Sequence, residues 1–192
     1  MLKIVTAPNH ILSQKAKEVL KIDKSILGFI EEMKEALVLA RDPEGVGLAA
    51  PQVGKSLAIF IAKPSQKSPI LTFINPEIVS SVEYPFGPSS GREQSSSKKR
   101  ASMRHAKLEG CLSLPNIWGQ VKRNPQLTLS FLDEKGKSHI KKYKSFMATI
   151  AQHEIDHLNG ILFTKRVLEQ KNKLYKSYRD EEGEDVFEEF EV

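Results

Sequence analysis

The chain has 192 residues, 40% of them hydrophobic and 28% charged, with a formal net charge of +5 and one cysteine. That length suits one domain with a substantial core, and the composition is that of an ordinary globular protein. A single thiol excludes an internal disulfide framework. The lack of a long apolar run or a signal-peptide pattern after Met1 points to a soluble cytoplasmic protein with no membrane partner, and the mild basic excess is no footprint for sequence-specific nucleic-acid binding.

The first residues, Met1 to Val5, read as a short strand-like piece followed by a turn at Thr6–His10. From Asp23 or Ser25, either of them a fair N-cap, a packing helix runs toward Ala40. Its apolar positions Ile26, Phe29, Ile30, Met33 and Leu37 recur at three and four, and Pro43 ends it. The segment Gly45 to Gly54 is built from small residues that let another backbone approach closely. It lacks the lysine ending and third glycine of nucleotide-binding loops. Gln52 within it is a neutral donor suited to a developing oxyanion. Leu57–Ala62 and Ile70–Ile74 read as buried strands, the second broken by Asn75-Pro76. Residues 80–107, with eight serines, two prolines, two glycines and the run Lys98-Lys99-Arg100, have no periodicity and read as a loop. His105 lies inside it and is not expected to be a ligand.

Glu109 to Pro115 is a compact turn around Cys111, and Val121 to Lys142 is a hairpin about Asp133-Glu134-Lys135-Gly136. A helix then runs from Phe146 to Asn159, with Met147, Ile150, Ala151, Ile155 and Leu158 at helical spacing and Gly160 as its stop. His153 and His157 stand one turn apart on the same face, with Glu154 beside the first. Two imidazoles so placed can share one transition metal, and the glutamate can act as its acid/base. A third ligand is wanted. On spacing alone Cys111 stays open between a buried structural cysteine and that ligand, and Glu109 would orient substrate or loop.

Beyond Thr164, Lys165–Arg179 carries six bases against one acid, and Asp180–Val192 carries eight acids and no base. A basic helix and an acidic tail follow from that charge switch. A ribosomal surface is one conceivable partner for the helix; a solvated helix is the simpler reading. Strands flanking one central helix indicate an α+β domain.

Three stretches, Gly45-Val46-Gly47-Leu48-Ala49-Ala50-Pro51-Gln52, Glu109-Gly110-Cys111-Leu112-Ser113 and Gln152-His153-Glu154-Ile155-Asp156-His157, resemble in order the signature motifs of the bacterial-type peptide deformylases, an iron- or zinc-dependent family. The resemblance covers about residues 2–164 outside the 80–107 insertion. It makes 1–164 the catalytic domain and 165–192 an appended basic helix and acidic tail. It implies antiparallel β-sheets packed around a central metal-binding helix, with N-terminal and C-terminal helices. The implied reaction removes the N-formyl group from the formyl-methionine of nascent polypeptides and releases formate.

By the same resemblance Cys111, His153 and His157 are the metal ligands, most characteristically for Fe(II), with nickel, cobalt or zinc able to replace it. Glu154 takes a proton from the attacking water and passes it to the leaving amine. The Gln52 side chain and the Leu112 backbone N–H are the oxyanion donors. The peptide would lie as an added strand along Val46, Gly47 and Gly110, beside Glu109, with its methionine near Phe146, Thr149 and Ile150. Two departures stand out. The 80–107 segment is longer than in many bacterial members, and Trp118 stands where many of them have a charged residue near the pocket rim, which bears on peptide preference. A zinc endopeptidase with the extended histidine motif would need a histidine at 163, where Phe163 stands, and a downstream ligand such as Glu169 would leave Cys111 unexplained. A silent ribosome-binding protein would have no use for an intact Glu154.

Overall fold

The computed structural model describes residues 2–40, 44–82 and 108–190. Helix α1 spans Lys24–Leu39, and Asp23 is the cap in use: its side chain accepts from the N–H groups of Ser25 and Ile26 at 3.0 and 3.1 Å. Strands β1 (Gly47–Ala49), β2 (Ile59–Ala62) and β3 (Leu71–Val82) follow, then β4 (Glu109–Cys111), β5 (Leu114–Gly119) and the hairpin β6 (Gln126–Leu132) and β7 (Ser138–Lys144). Helix α2 (Ser145–Leu158), helix α3 (Phe163–Glu169) and strands β8 (Leu174–Arg179) and β9 (Asp185–Phe190) complete the order.

The strands form two antiparallel sheets, β1-β2-β3-β6-β7 and β4-β5-β8-β9, and the fold is α+β. The five-stranded sheet is covered on both faces. Ile59 and Ile61 of β2 pack with Ile30, Met33 and Leu37 of α1. Phe60 and Ala62, pointing the other way, pack with Ala148, Ile150 and Ala151 of α2. That two-sided burial is why this segment reads as an unbroken apolar run rather than an alternating one. Phe60 stacks on Phe73 of β3 with centroids 4.3 Å apart. The β6–β7 hairpin alternates as its sequence predicts, with Leu127, Leu129 and Phe131 buried. Among the described residues no helix is long and apolar enough to cross a membrane.

The structure departs from the sequence reading in three places. No strand forms over the described residues 2–5; Val5 instead donates one backbone hydrogen bond to the Gln52 carbonyl at 2.7 Å. Asn75-Pro76 does not end β3. Asn75 takes a positive φ of 50°, the pairing with β6 shifts between Ile74 and Glu77, and the strand continues to Val82. A bulge absorbs the proline, which has no N–H to offer the ladder. The Asn75 amide clamps the Val19 backbone at 2.8 and 2.9 Å. Residues 80–82 of the expected loop are thus strand, and 83–107 lie outside the described residues.

The third departure is the basic helix. Helix α3 stops at Glu169, and Leu174–Arg179 is a strand paired with β5 on one side and β9 on the other. The register sets Lys176 against Glu188 and Arg179 against Asp185, so the basic strand meets the chain's own acidic segment.

Candidate active site

Helix α2 lays Ala148, Ile150, Ala151 and Leu158 against the five-stranded sheet. It stops at Gly160, whose φ of 70° suits glycine; a Cβ there would also stand 2.5 Å from the Ser13 carbonyl carbon. The N–H groups of Gly160 and Ile161 cap the carbonyls of His157 and Asp156. The helix carries His153, Glu154 and His157 inward, and Glu154 and His157 are 3% and 1% exposed.

Cys111 comes from the other sheet, at the end of β4. Its Sγ is 3.2 Å from His157 Nε2, and one ligand atom from each of Cys111, His153 and His157 falls within 4.8 Å of the others. One sulfur and two imidazole nitrogens converging at that spacing fit a single transition-metal ion with a coordination position left over.

The surrounding charges orient this set. Glu109 accepts from Arg123 Nε and Nη2 at 2.8 and 2.9 Å, and its Oε2 stands 3.0 Å from His153 Nδ1, leaving Nε2 of that ring for a metal. Arg123 Nη1 also donates to Asp156 at 2.6 Å, and Asp156 accepts from Arg166 at 2.7 Å. Both Glu109 oxygens are therefore engaged. It ties the His153 ring to the β4 strand and also lines the open space beside the site.

Burial alone would raise the Glu109 carboxyl, but Arg123 and His153 outweigh it and hold the group at about 2. For Glu154 burial prevails and pushes the carboxyl up to about 7, the negative Glu109 adding to the rise against the opposing charges of His153 and Arg123. Burial also works against charge on both imidazoles. Hydrogen bonds to Cys111 and Glu109 reverse this at His153 and raise it, whereas His157 stays well below its usual range.

The site opens into a cleft of about 860 Å³, walled on one side by Val46 and Gly47 and on the other by Glu109, Gly110 and Cys111. β1 and β4 are each the end strand of their sheet, so two strand edges face this space. A Cβ on Gly47 would lie 2.8 Å from Glu154 Cδ, which makes glycine a requirement there. Gln52 is buried at 2% exposure. Its Oε1 accepts from Ala49 N–H at 2.9 Å, so its amide N–H₂ turns toward Cys111 Sγ and Ser113 Oγ at 3.5 and 3.3 Å. Leu112 sits in the turn beside Cys111, and Ile150, Thr149 and the half-exposed Phe146 line the floor.

The structure thus brings every expected site residue except His157 to the lining of one cleft, and His157 lies buried behind it against Cys111 Sγ. Arg123, Asp156, Arg166 and Ser113 were not foreseen. Asp156 and Ser113 carried a signal, one lying between the two histidines of its motif and the other closing the cysteine motif.

Such a helix-borne histidine pair, completed by a thiol from a second sheet and a buried carboxylate, defines a mononuclear metallohydrolase site in an α+β fold. Residues 1–173 match the polypeptide deformylase family model. The peptide deformylase of Borreliella burgdorferi is 38% identical over 183 residues, covering 95% of this chain and 98% of that one. That of Pelotomaculum thermopropionicum is 38% identical over 85% of this chain and 90% of its own. Among solved structures, the peptide deformylase of Ehrlichia chaffeensis has a TM-score of 0.72 at 30% identity over 89% of this chain and 90% of its own. A Synechococcus elongatus peptide deformylase in complex with actinonin has a TM-score of 0.69 at 32% identity over 86% of this chain and 78% of its own. The chain belongs to the polypeptide deformylase family.

Proposed function

We propose that the chain removes the formyl group from the N-terminal formyl-methionine of nascent polypeptides in the cytoplasm, releasing formate. The observation that carries this reading is Glu154. Its carboxyl is buried, pushed up to about 7, adjacent to the Cys111–His153–His157 set, and its Oε2 has no hydrogen-bond partner among the described residues. A buried oxygen left unsatisfied by the fold is one available to water or substrate.

Cys111, His153 and His157 would hold the ion, Fe(II) by preference, with nickel, cobalt or zinc able to replace it. Bound there, the metal supplies an activated water at neutral pH, bringing its pKa from about 16 toward about 7. Glu154 removes the proton from the attacking water and returns it to the departing amine nitrogen, a role that a pKa near the working pH serves well. The Gln52 amide, locked by Ala49, donates to the oxygen of the formyl carbon as charge builds on it, with the Leu112 N–H as second donor. The peptide enters as an extra strand between the edges at Val46, Gly47 and Gly110, so its backbone rather than its side chains is read. Phe146, Thr149 and Ile150 receive the methionine.

The test is formate release from a formyl-methionyl tripeptide by protein purified anaerobically with Fe(II). Glu154→Ala should fold, hold metal and lose roughly a hundred- to ten-thousand-fold in kcat. Metal-loaded native protein that released no formate would end the proposal.

A further inference from the structure

The C-terminal hairpin reaches the same cleft. Trp118 of β5, the only tryptophan in the chain, lines it. The indole lies directly over Gly110, where a Cβ would stand 2.7 Å from Cζ3 and 2.8 Å from Cε3. Nothing but backbone separates the ring from the strand edge along which the peptide is placed. Two residues of the hairpin hold the ring from behind. Trp118 Nε1–H donates to Ser177 Oγ at 2.9 Å, and Phe187 meets the indole edge-to-face with centroids 5.8 Å apart. Ser177 and Phe187 are directly opposed on β8 and β9, and Tyr175 pairs with Trp118 itself, so a single cross-strand unit sets the ring's position. With its N–H committed to Ser177, the indole presents an apolar face to the cleft.

We propose that Ser177 and Phe187 are positioning residues for the peptide. Acting through Trp118, they fix the width of the cleft at Gly110 and give it a flat apolar wall that favours an aromatic side chain beyond the methionine. The inference rests on the deformylase reading. It makes the C-terminal hairpin part of the substrate cleft, although no motif residue lies there.

Steady-state kinetics on formyl-Met-Ala and formyl-Met-Ala-Phe, with the Fe(II) enzyme, separate the two. Phe187→Ala should raise KM for the tripeptide about three- to tenfold, the scale of one lost aromatic contact, while kcat and the dipeptide KM stay within twofold. Phe187→Tyr should restore the native KM. Ser177→Ala, which removes only a hydroxyl, should act in the same direction and serves if Phe187→Ala does not fold. Trp118 is its own reporter: its emission should shift in Phe187→Ala, and also when the tripeptide is added to the Glu154→Gln enzyme. Equal KM changes for both peptides, an equal fall in kcat for both, or an emission blind to the tripeptide would each overturn the inference while leaving formate release by native enzyme intact. No formate from native enzyme on either peptide would instead remove the deformylase reading, and the inference with it.

Discussion

The two sheets are stabilised by different means. The five-stranded sheet has helices on both faces and fixes its strands by packing, with Phe60, Phe73, Ile59 and Ile74 wholly buried. The four-stranded sheet has a small core, Cys111, Phe163, Val167 and Leu174, and most of the side chains of β8 and β9 lie at its surface. Around the site, the buried ion network of Glu109, Arg123 and Asp156, extended by the partly exposed Arg166, does what packing does elsewhere. The cleft lies where the two meet, with Gly47 and Gln52 supplied from the packed side and Glu109, Cys111 and Trp118 from the charged side. A site at such a seam can keep its rigid donors while the opposite wall varies.

That contrast can be broken most sharply in the two interiors. Phe73→Ala should cost about 3–5 kcal/mol in urea unfolding, as an unfilled cavity between stacked rings. Arg123→Met should cost about as much, because Glu109 and Asp156 lose their shared buried cation. A loss under about 1 kcal/mol for Arg123→Met would mean that packing alone holds both halves. Glu109→Gln is milder. The His153 ring keeps a hydrogen-bonding neighbour but loses its charged one, and metal affinity by competition with a chelator should weaken about ten- to a hundredfold.

The smallest expected effect is the pH profile. Glu154 must be ionised to accept a proton, so kcat/KM should fall as pH drops through about 7, with a lower midpoint once a cation sits beside it. In metal-free protein the sign for stability is the reverse. The folded-state value lies above the usual 4.5, so the favourable contribution is complete below about 4.5 and is lost as pH rises through about 7. A profile unchanged in Glu154→Asp would place the titration on another group.

Local periodicity made α1, α2 and the β6–β7 hairpin legible, because each buries one face at its own repeat. The candidate ligands His153 and His157 were legible for the same reason, as a spacing on a helix. Cys111 needed the motif resemblance, since its distance from the histidines exists only once the second sheet folds over α2. Arg123 carried no signal: an arginine before Asn124-Pro125 looks like any surface cation until Glu109 and Asp156 close around it. The strand at Leu174–Arg179 was hidden by its charge. It forms because β5 offers an open ladder on one side and the acidic β9 neutralises it on the other, context that outweighs intrinsic preference.

The facing end strands β1 and β4 would, under the proposed docking, also act as a clock. In the proposed docking, only a backbone whose own N–H and C=O groups are still unclaimed can lie between them, and a terminus already drawn into a helix or sheet has none to give. The chance to act on a new protein therefore begins when its first residues emerge and closes when they fold, a race run against secondary structure rather than against sequence.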